Sequence, residues 1–214
     1  MATEVKIFIG DAIISSVLGY NDLTWAVRNS ATMVFSAAML RVIDADKNAR
    51  KKDVTSGNAI TVIELFRLYP ALSTFLFSVL QNGVQEMEVD ANLVVKSKGL
   101  TERMLHPAVF PVLLLISRLH PVNHSGEEAV PLTERFAEPI LSCLTHPHHK
   151  VRVVAARAIA NICTDLHGKN STSSTLLHYF AQTLRKNLPT NFNHMHGALL
   201  AVQKILESRD KIED

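Results

Sequence analysis

The stretch LTHPHHKVRVVAARAIANIC, residues 144–163, decides the fold of this chain. A polar turn with one proline is followed by Val151, Val154, Ala158 and Ile162, spaced by three, four and four residues. This spacing puts the four side chains on one face of an α-helix. Because several of the intervening residues are small, a neighbouring helix can approach closely. The stretch therefore predicts a helix packed inside a helical array.

A second stretch, TWAVRNSATMVFSAA around Arg28, repeats this pattern. Each stretch has a Val-Arg pair, an alanine three residues after the arginine, and an apolar pair three residues further on, at 34–35 and 158–159. Arg28 and Arg152 lie 124 residues apart, which is about three periods of the ~40–47 residues typical of HEAT and armadillo units. The sequence therefore predicts an all-α fold, an α-solenoid of HEAT- or armadillo-like repeats with about four helix pairs in residues 1–214.

Start and stop signals divide the rest of the chain into helices. Thr61 and Glu64 have the spacing of a capping box, and Pro70 can end that helix and begin the next. A polar run without helical period predicts a loop near 44–58, and residues 83–103 fit either a loop or a short helix. The predicted helices span about 3–18, 25–43, 61–70, 71–81, 107–119, 132–145, 148–164, 173–187 and 193–208.

The composition is that of an ordinary globular protein, with 47% hydrophobic and 20% charged residues. Lys and Arg number 22 against 20 Asp and Glu, and this balance is too even to indicate nucleic-acid binding by itself. Two cysteines cannot form a disulfide framework and suit a reducing compartment, so we expect a cytoplasmic protein. The most apolar stretch, residues 104–119, is short and contains His, Pro and Arg, so we expect no membrane insertion.

Signatures of catalysis are missing from the sequence. All eight glycines are isolated, so there is no phosphate-binding loop or dinucleotide fingerprint. We therefore expect no enzyme activity, no cofactor and no small-molecule substrate. The best metal candidates are His146, His148 and His149, but they share one turn and neither cysteine has a CxxC partner. An inter-helix turn explains them better than zinc, so we expect no metal.

Basic side chains provide candidate contacts with RNA or a partner protein, because tRNA binding depends largely on Lys and Arg against phosphates. For Arg152 and its repeat equivalent Arg28 we favour another role, in which the guanidinium bonds a carbonyl or carboxylate of a neighbouring turn. For the basic part of the loop near 44–58 the ordinary interpretation is a solvated segment. The candidate contacts are Lys150, Arg152, Arg157, Lys51 and Lys52.

Four segments carry a more specific resemblance: TWAVRNSATMVFSAAMLRV (24–42), LFRLYPALSTFLFSVL (65–80), LHPAVFPVLLLISRLHP (105–121) and NHMHGALLAVQKIL (193–206). Together they resemble the thyroid adenoma-associated protein family, in the same order along the chain. This family includes the fungal auxiliary subunit of a tRNA 2′-O-ribose methyltransferase. Since family members are much longer than 214 residues, the chain resembles an excerpt of a longer solenoid.

The resemblance implies a scaffold or regulatory subunit that has no catalytic centre of its own. Its expected partner is the 2′-O-methyltransferase catalytic subunit, which binds S-adenosylmethionine and methylates a ribose of the tRNA anticodon loop. Direct contact with tRNA is also expected. The alternative is a general HEAT-type protein interaction module with a different partner.

The most specific motifs of the resemblance are WAVRNS and HGALL. We expect structural roles for their residues, with the tryptophan as a packing anchor and the glycine as a point of close helix approach. These residues are Trp25, Arg28, Asn29, His196 and Gly197.

Overall fold

The computed structural model describes residues 7–49, 60–96, 105–120, 129–162, 172–187 and 192–213. In these ranges the only β-contact is an isolated bridge between Thr61 and His120, and the predicted all-α fold of stacked helices is confirmed. The helices are α1 (Ile9–Gly19), α2 (Trp25–Ala49), α3 (Val62–Leu68), α4 (Pro70–Lys96), α5 (Val109–Arg118), α6 (Ala129–Cys143), α7 (His149–Ile162), α8 (Thr172–Asn187) and α9 (Phe192–Glu213).

The start of α3 is the predicted capping box. The Thr61 hydroxyl accepts the backbone N–H of Glu64 at 3.3 Å, and the Glu64 carboxylate accepts the backbone N–H of Thr61 at 2.8 Å. Two backbone donors that the first helical turn leaves unpaired are thereby satisfied. Pro70 begins α4, also as predicted, because the first helical position needs no N–H.

Several predicted boundaries are wrong, among them the end of α9, which lies at Glu213 rather than near 208. Residues 44–49 are the last part of α2, and only the remainder of the expected loop, 50–58, lies outside the described residues. Residues 83–96 continue α4, while 97–103 are not among the described residues. Helix α6 begins at Ala129 rather than at 132. Extending an existing helix costs much less than starting one, so a helix can continue through polar residues where its apolar period has stopped.

The core is continuous through the helix stack. Helix α1 packs on α2, α4 packs on α5 and α6, and α7 packs on α5, α6 and α9. Helix α5 is buried on nearly all sides, with Val109, Val112 and Ile116 fully inaccessible. Phe136 of α6 joins the layers, since its ring lies 5.5 Å from that of Phe66 and 5.8 Å from that of Phe77.

Taken singly, none of the described helices has the length and apolar character needed to cross a membrane. Helix α3 and residues 70–86 of α4 meet that criterion only as a combined pair, and the pair is bent by 120°.

Candidate functional site

The turn before α7 is held by a buried arginine. Nη1 of Arg152 donates to the carbonyls of His146 at 2.7 Å and Pro147 at 2.6 Å, and Nε donates to Nδ1 of His196 at 3.1 Å. Only 7% of Arg152 is exposed. A charged donor on two carbonyls is a strong hydrogen-bond arrangement, so this guanidinium closes the turn and joins it to α9.

The turn before α2 has the same construction. Nη1 of Arg28 donates to the carbonyls of Asp22 at 2.7 Å and Leu23 at 2.8 Å. In both turns the arginine bonds the carbonyls six and five residues before it, and we refer to this arrangement as the arginine clamp. The repeat detected in the sequence is therefore a repeat of turn geometry.

The first residue of each clamped turn contributes a second bond. Oδ1 of Asp22 accepts the N–H of Thr24 at 2.7 Å, and Nδ1 of His146 accepts the N–H of His148 at 3.0 Å. The other His-Pro turn before a described helix behaves likewise, because Nδ1 of His106 accepts the N–H of Ala108 at 3.3 Å. A side chain that accepts the N–H two residues on is a familiar way to begin a turn. The His-Pro pairs thus mark helix boundaries.

The candidate contact residues separate into different environments. Lys150 and Arg157 are exposed on α7, and their spacing of seven residues, two helical turns, puts them on the same side of that helix. Arg152 is removed from the contact set, because its guanidinium is buried in the clamp instead of facing solvent. Lys51 and Lys52 lie outside the described residues.

His196 and Gly197 lie where α9 crosses the turn before α7. The ring of His196 is 5.3 Å from that of His149. Burial lowers the pKa of His196, and the charges of Arg152 and His149 lower it further. A side chain at Gly197 would collide with the carbonyl oxygen of Leu144, so α9 needs glycine to come this close.

Within the described part of the chain, Trp25 does not pack as the anchor that the sequence predicts. Its side chain is 70% exposed, and Asn29 is exposed as well. The buried side of α2 is formed by Ala31, Phe35 and Ala38, and Trp25 lies outside that stripe. Large apolar side chains are buried on average. Trp25 is exposed because its position on α2 lies away from the side that packs on the core.

No cluster of three or more metal-binding side chains occurs in the part of the chain that the structure describes. Burial in the core raises the pKa of the Cys143 thiol to about 12. The thiol therefore stays protonated at neutral pH, whereas a metal ligand has to be a thiolate.

A family model described as Trm732, C-terminal TPR repeats, matches residues 28–205. The chain belongs to this family. The resemblance found in the four sequence segments is confirmed at the family level. The family description specifies TPR repeats where the sequence favoured HEAT-like ones, and both are solenoids in which stacked helix pairs bury a continuous core.

Several curated relatives of this Trm732-type chain are named as regulators of a tRNA methyltransferase. The chain is 30% identical over 204 residues to "tRNA (32-2'-O)-methyltransferase regulator THADA" of Homo sapiens and 29% identical over 201 residues to that of Canis lupus familiaris. It is 22% identical over 200 residues to "tRNA (32-2'-O)-methyltransferase regulator trm732" of Schizosaccharomyces pombe. These matches cover 94%, 94% and 93% of the chain, but 10%, 10% and 12% of the relatives. The chain thus spans about a tenth of their length. No solved structure matches it.

Proposed function

We propose that this chain is a non-catalytic part of a regulator of tRNA ribose 2′-O-methylation, and that it helps to hold a catalytic methyltransferase and its tRNA in productive geometry. The observation that carries the proposal is the match along nearly the whole chain to relatives named as regulators of this reaction. Positioning of reactants is a substantial source of rate. We place this role in the cytoplasm, which localisation of the tagged protein in cells would test.

The surface that we assign to tRNA is the exposed side of α7 with Lys150 and Arg157. Helix α7 is fixed by α5, α6 and α9, and its preceding turn is closed by the Arg152 clamp. The two cations therefore stand on a rigid support. Each can neutralise one phosphate, and each such contact gives tRNA affinity a dependence on salt concentration.

The experiment is the double charge reversal Lys150→Glu with Arg157→Glu. We expect at least about a tenfold loss of tRNA affinity at low salt, and a slope of log affinity against log salt that is shallower by about one to two units. Fluorescence anisotropy with labelled tRNA over a salt series measures both quantities, and circular dichroism shows whether the variant is folded.

A matched control keeps the change in net charge and moves it to other helices. Arg118→Glu with Arg185→Glu replaces exposed cations on α5 and α8 and is expected to leave most of the affinity intact. If both pairs weaken binding equally, the contact is only a general attraction of charge, and the assignment to α7 fails.

The second candidate function is a protein interaction module with a different partner. The exposed apolar residues of α2 favour it, among them Trp25, Met33 and Leu40. Docking through apolar side chains responds weakly to salt, whereas tRNA binding weakens steeply. Over a range from about 50 mM to about 500 mM salt the Debye length falls roughly threefold. Partner binding that persists over this range, with no detectable tRNA binding, would support this alternative over our proposal.

A further inference from the structure

Helix α2 has an outer side that nothing in the described part of the chain covers. Between residues 25 and 40 its only charged residue is Arg28, whose guanidinium is engaged in the clamp. Val27, Val34 and Met33 are 41%, 44% and 68% exposed. A helix that is apolar or small-sided all round is typical of one buried between neighbours on more than one side.

The repeat equivalent of α2 shows what covers such a side. The two clamps align Val27, Val34 and Ala37 with three residues of α7 at 151, 158 and 161. All three residues in α7 are buried, at 5%, 0% and 8% exposure, and those in α2 are exposed. In both helices the three positions lie within about a quarter of the circumference. One copy of the repeat therefore has this quarter covered, and the other has it open.

Helix α5 is one of the elements that cover α7 on the side of residues 151, 158 and 161. Nδ2 of Asn161 donates to the carbonyls of Ile116 at 3.0 Å and Leu119 at 2.7 Å, at the end of α5. Since α5 packs on α7 and their carboxyl ends meet, the two helices run in the same direction. Helix α5 has no acidic residue, and its one basic residue, Arg118, is in its last turn.

We propose that Val27, Val34 and Ala37 form a docking surface for one uncharged aliphatic α-helix of another helical repeat, which lies along α2 in the same direction as α5 lies along α7. Two features of α2 fit this occupant. The small side chains of Ser30 and Ala37 allow close approach of a helix backbone. Between residues 27 and 37 no charged side chain other than the clamped Arg28 is present, which favours an aliphatic partner over a charged one along this stretch. The exposed Arg41, one turn further on, ends the uncharged surface.

The experiment places a photo-crosslinking amino acid, p-benzoylphenylalanine, at Val27 or Val34 of the protein in its native cells. Illumination followed by mass spectrometry identifies the cross-linked residues. We expect both positions to capture the same uncharged aliphatic segment. The residue captured by position 27 should lie about seven residues before the one captured by position 34, because the helices run in the same direction.

The matched control is Met33, next to Val34 and more exposed. Its equivalent in the covered repeat, Arg157, is exposed to solvent, so position 33 should give few cross-links or none. The proposal is overturned if positions 34 and 33 behave alike, if the captured molecule is RNA or a charged segment, or if it is α2 of a second copy.

Discussion

The α1–α2 pair and the α7 region contain the same arginine clamp in different surroundings. Arg28 closes its turn on a half-open surface, with hydrogen bonds to two carbonyls that remain near solvent. Arg152 makes the same two bonds in a buried position and adds a third, to His196 of α9. The Val-Arg pattern thus specifies the turn, whereas neighbouring helices decide how deeply the turn is buried.

This difference should appear in the energetics. A hydrogen bond near water is replaced by water when one partner is removed, so its loss costs little. In the turn before α7 the carbonyl of His146 is buried and has no such replacement, so the cost rises. Variants at equivalent positions of the two clamps therefore separate the effect of local geometry from the effect of burial.

The largest expected difference is between Arg152→Ala and Arg28→Ala. Loss of the buried clamp should lower the free energy of unfolding by about 3 kcal/mol, because two carbonyls and one imidazole nitrogen lose a charged donor. Loss of the exposed clamp should cost about 1 kcal/mol. Urea unfolding followed by circular dichroism measures both values.

Arg157→Ala serves as the control for loss of an arginine from α7, and it should change the unfolding free energy by less than about 0.5 kcal/mol. Equal losses at Arg152 and Arg28 would mean that burial does not strengthen the clamp, and the contrast between the two regions would disappear.

A smaller difference is expected between two glycines at helix crossings. In Gly197→Ala the new methyl group meets the carbonyl oxygen of Leu144, and relief requires α9 to move. We expect a loss of about 1–3 kcal/mol. In Gly19→Ala the methyl group meets Cβ of Ala31 at 2.9 Å, which cannot rotate away, so α1 and α2 must separate slightly. The higher helix propensity of alanine offsets part of this cost. The net change there should be below about 1 kcal/mol, and the midpoints of thermal unfolding test the order.

The smallest effect concerns pH. The pKa of His196 is lowered in the folded state, so the folded chain binds fewer protons there than the unfolded chain. The stability that this gives is complete above the ordinary pKa near 6.5 and is lost as the pH falls from 6.5 through the folded-state pKa. Protonation also removes the acceptor that Nδ1 offers to Arg152.

Hydrogen exchange, corrected for the intrinsic effect of pH, should therefore show weaker protection of α7 at pH 5.5 than at pH 7.5. Helix α2 provides the internal reference, because residues 7–49 contain no histidine. His196→Asn keeps an acceptor near Nδ1 and does not titrate, so it should flatten the response of α7. An unchanged response in this variant would assign the effect to another histidine.

The sequence predicted those features of the fold that depend on residues close together in the chain. The capping box of Thr61 and Glu64 and the helix start at Pro70 depend on residues within one turn, and both are present. The end of α2 at Ala49 was missed because its last residues are polar and show no apolar period. The helix there continues through Asp44, Asp46 and Asn48, which are weak helix formers, because adding residues to an existing helix costs much less than starting one.

The site depended on features that lie far apart in the sequence. The exposure of Trp25 and the burial of Arg152 follow from which helices pack beside α2 and α7, and no local pattern contains that information. The turns held by Asp22 and His146 did leave a signal, since each has a side-chain acceptor six residues before the clamp arginine. The repeat predicts that both arginines bond a carbonyl or carboxylate of a neighbouring turn, and this spacing identifies that turn as the one directly before each arginine.

The arginine clamp also has an evolutionary consequence. The donor and both acceptors lie within seven consecutive residues, so a duplicated segment brings along the means to fold its own connector. Loss or gain of a neighbouring unit leaves the connector intact. A gene built from such units can lengthen or shorten by whole repeats, and the outer surface of each copy can differ without loss of the connector, as Trp25 and Met33 on one copy differ from His149 and Arg157 on the other.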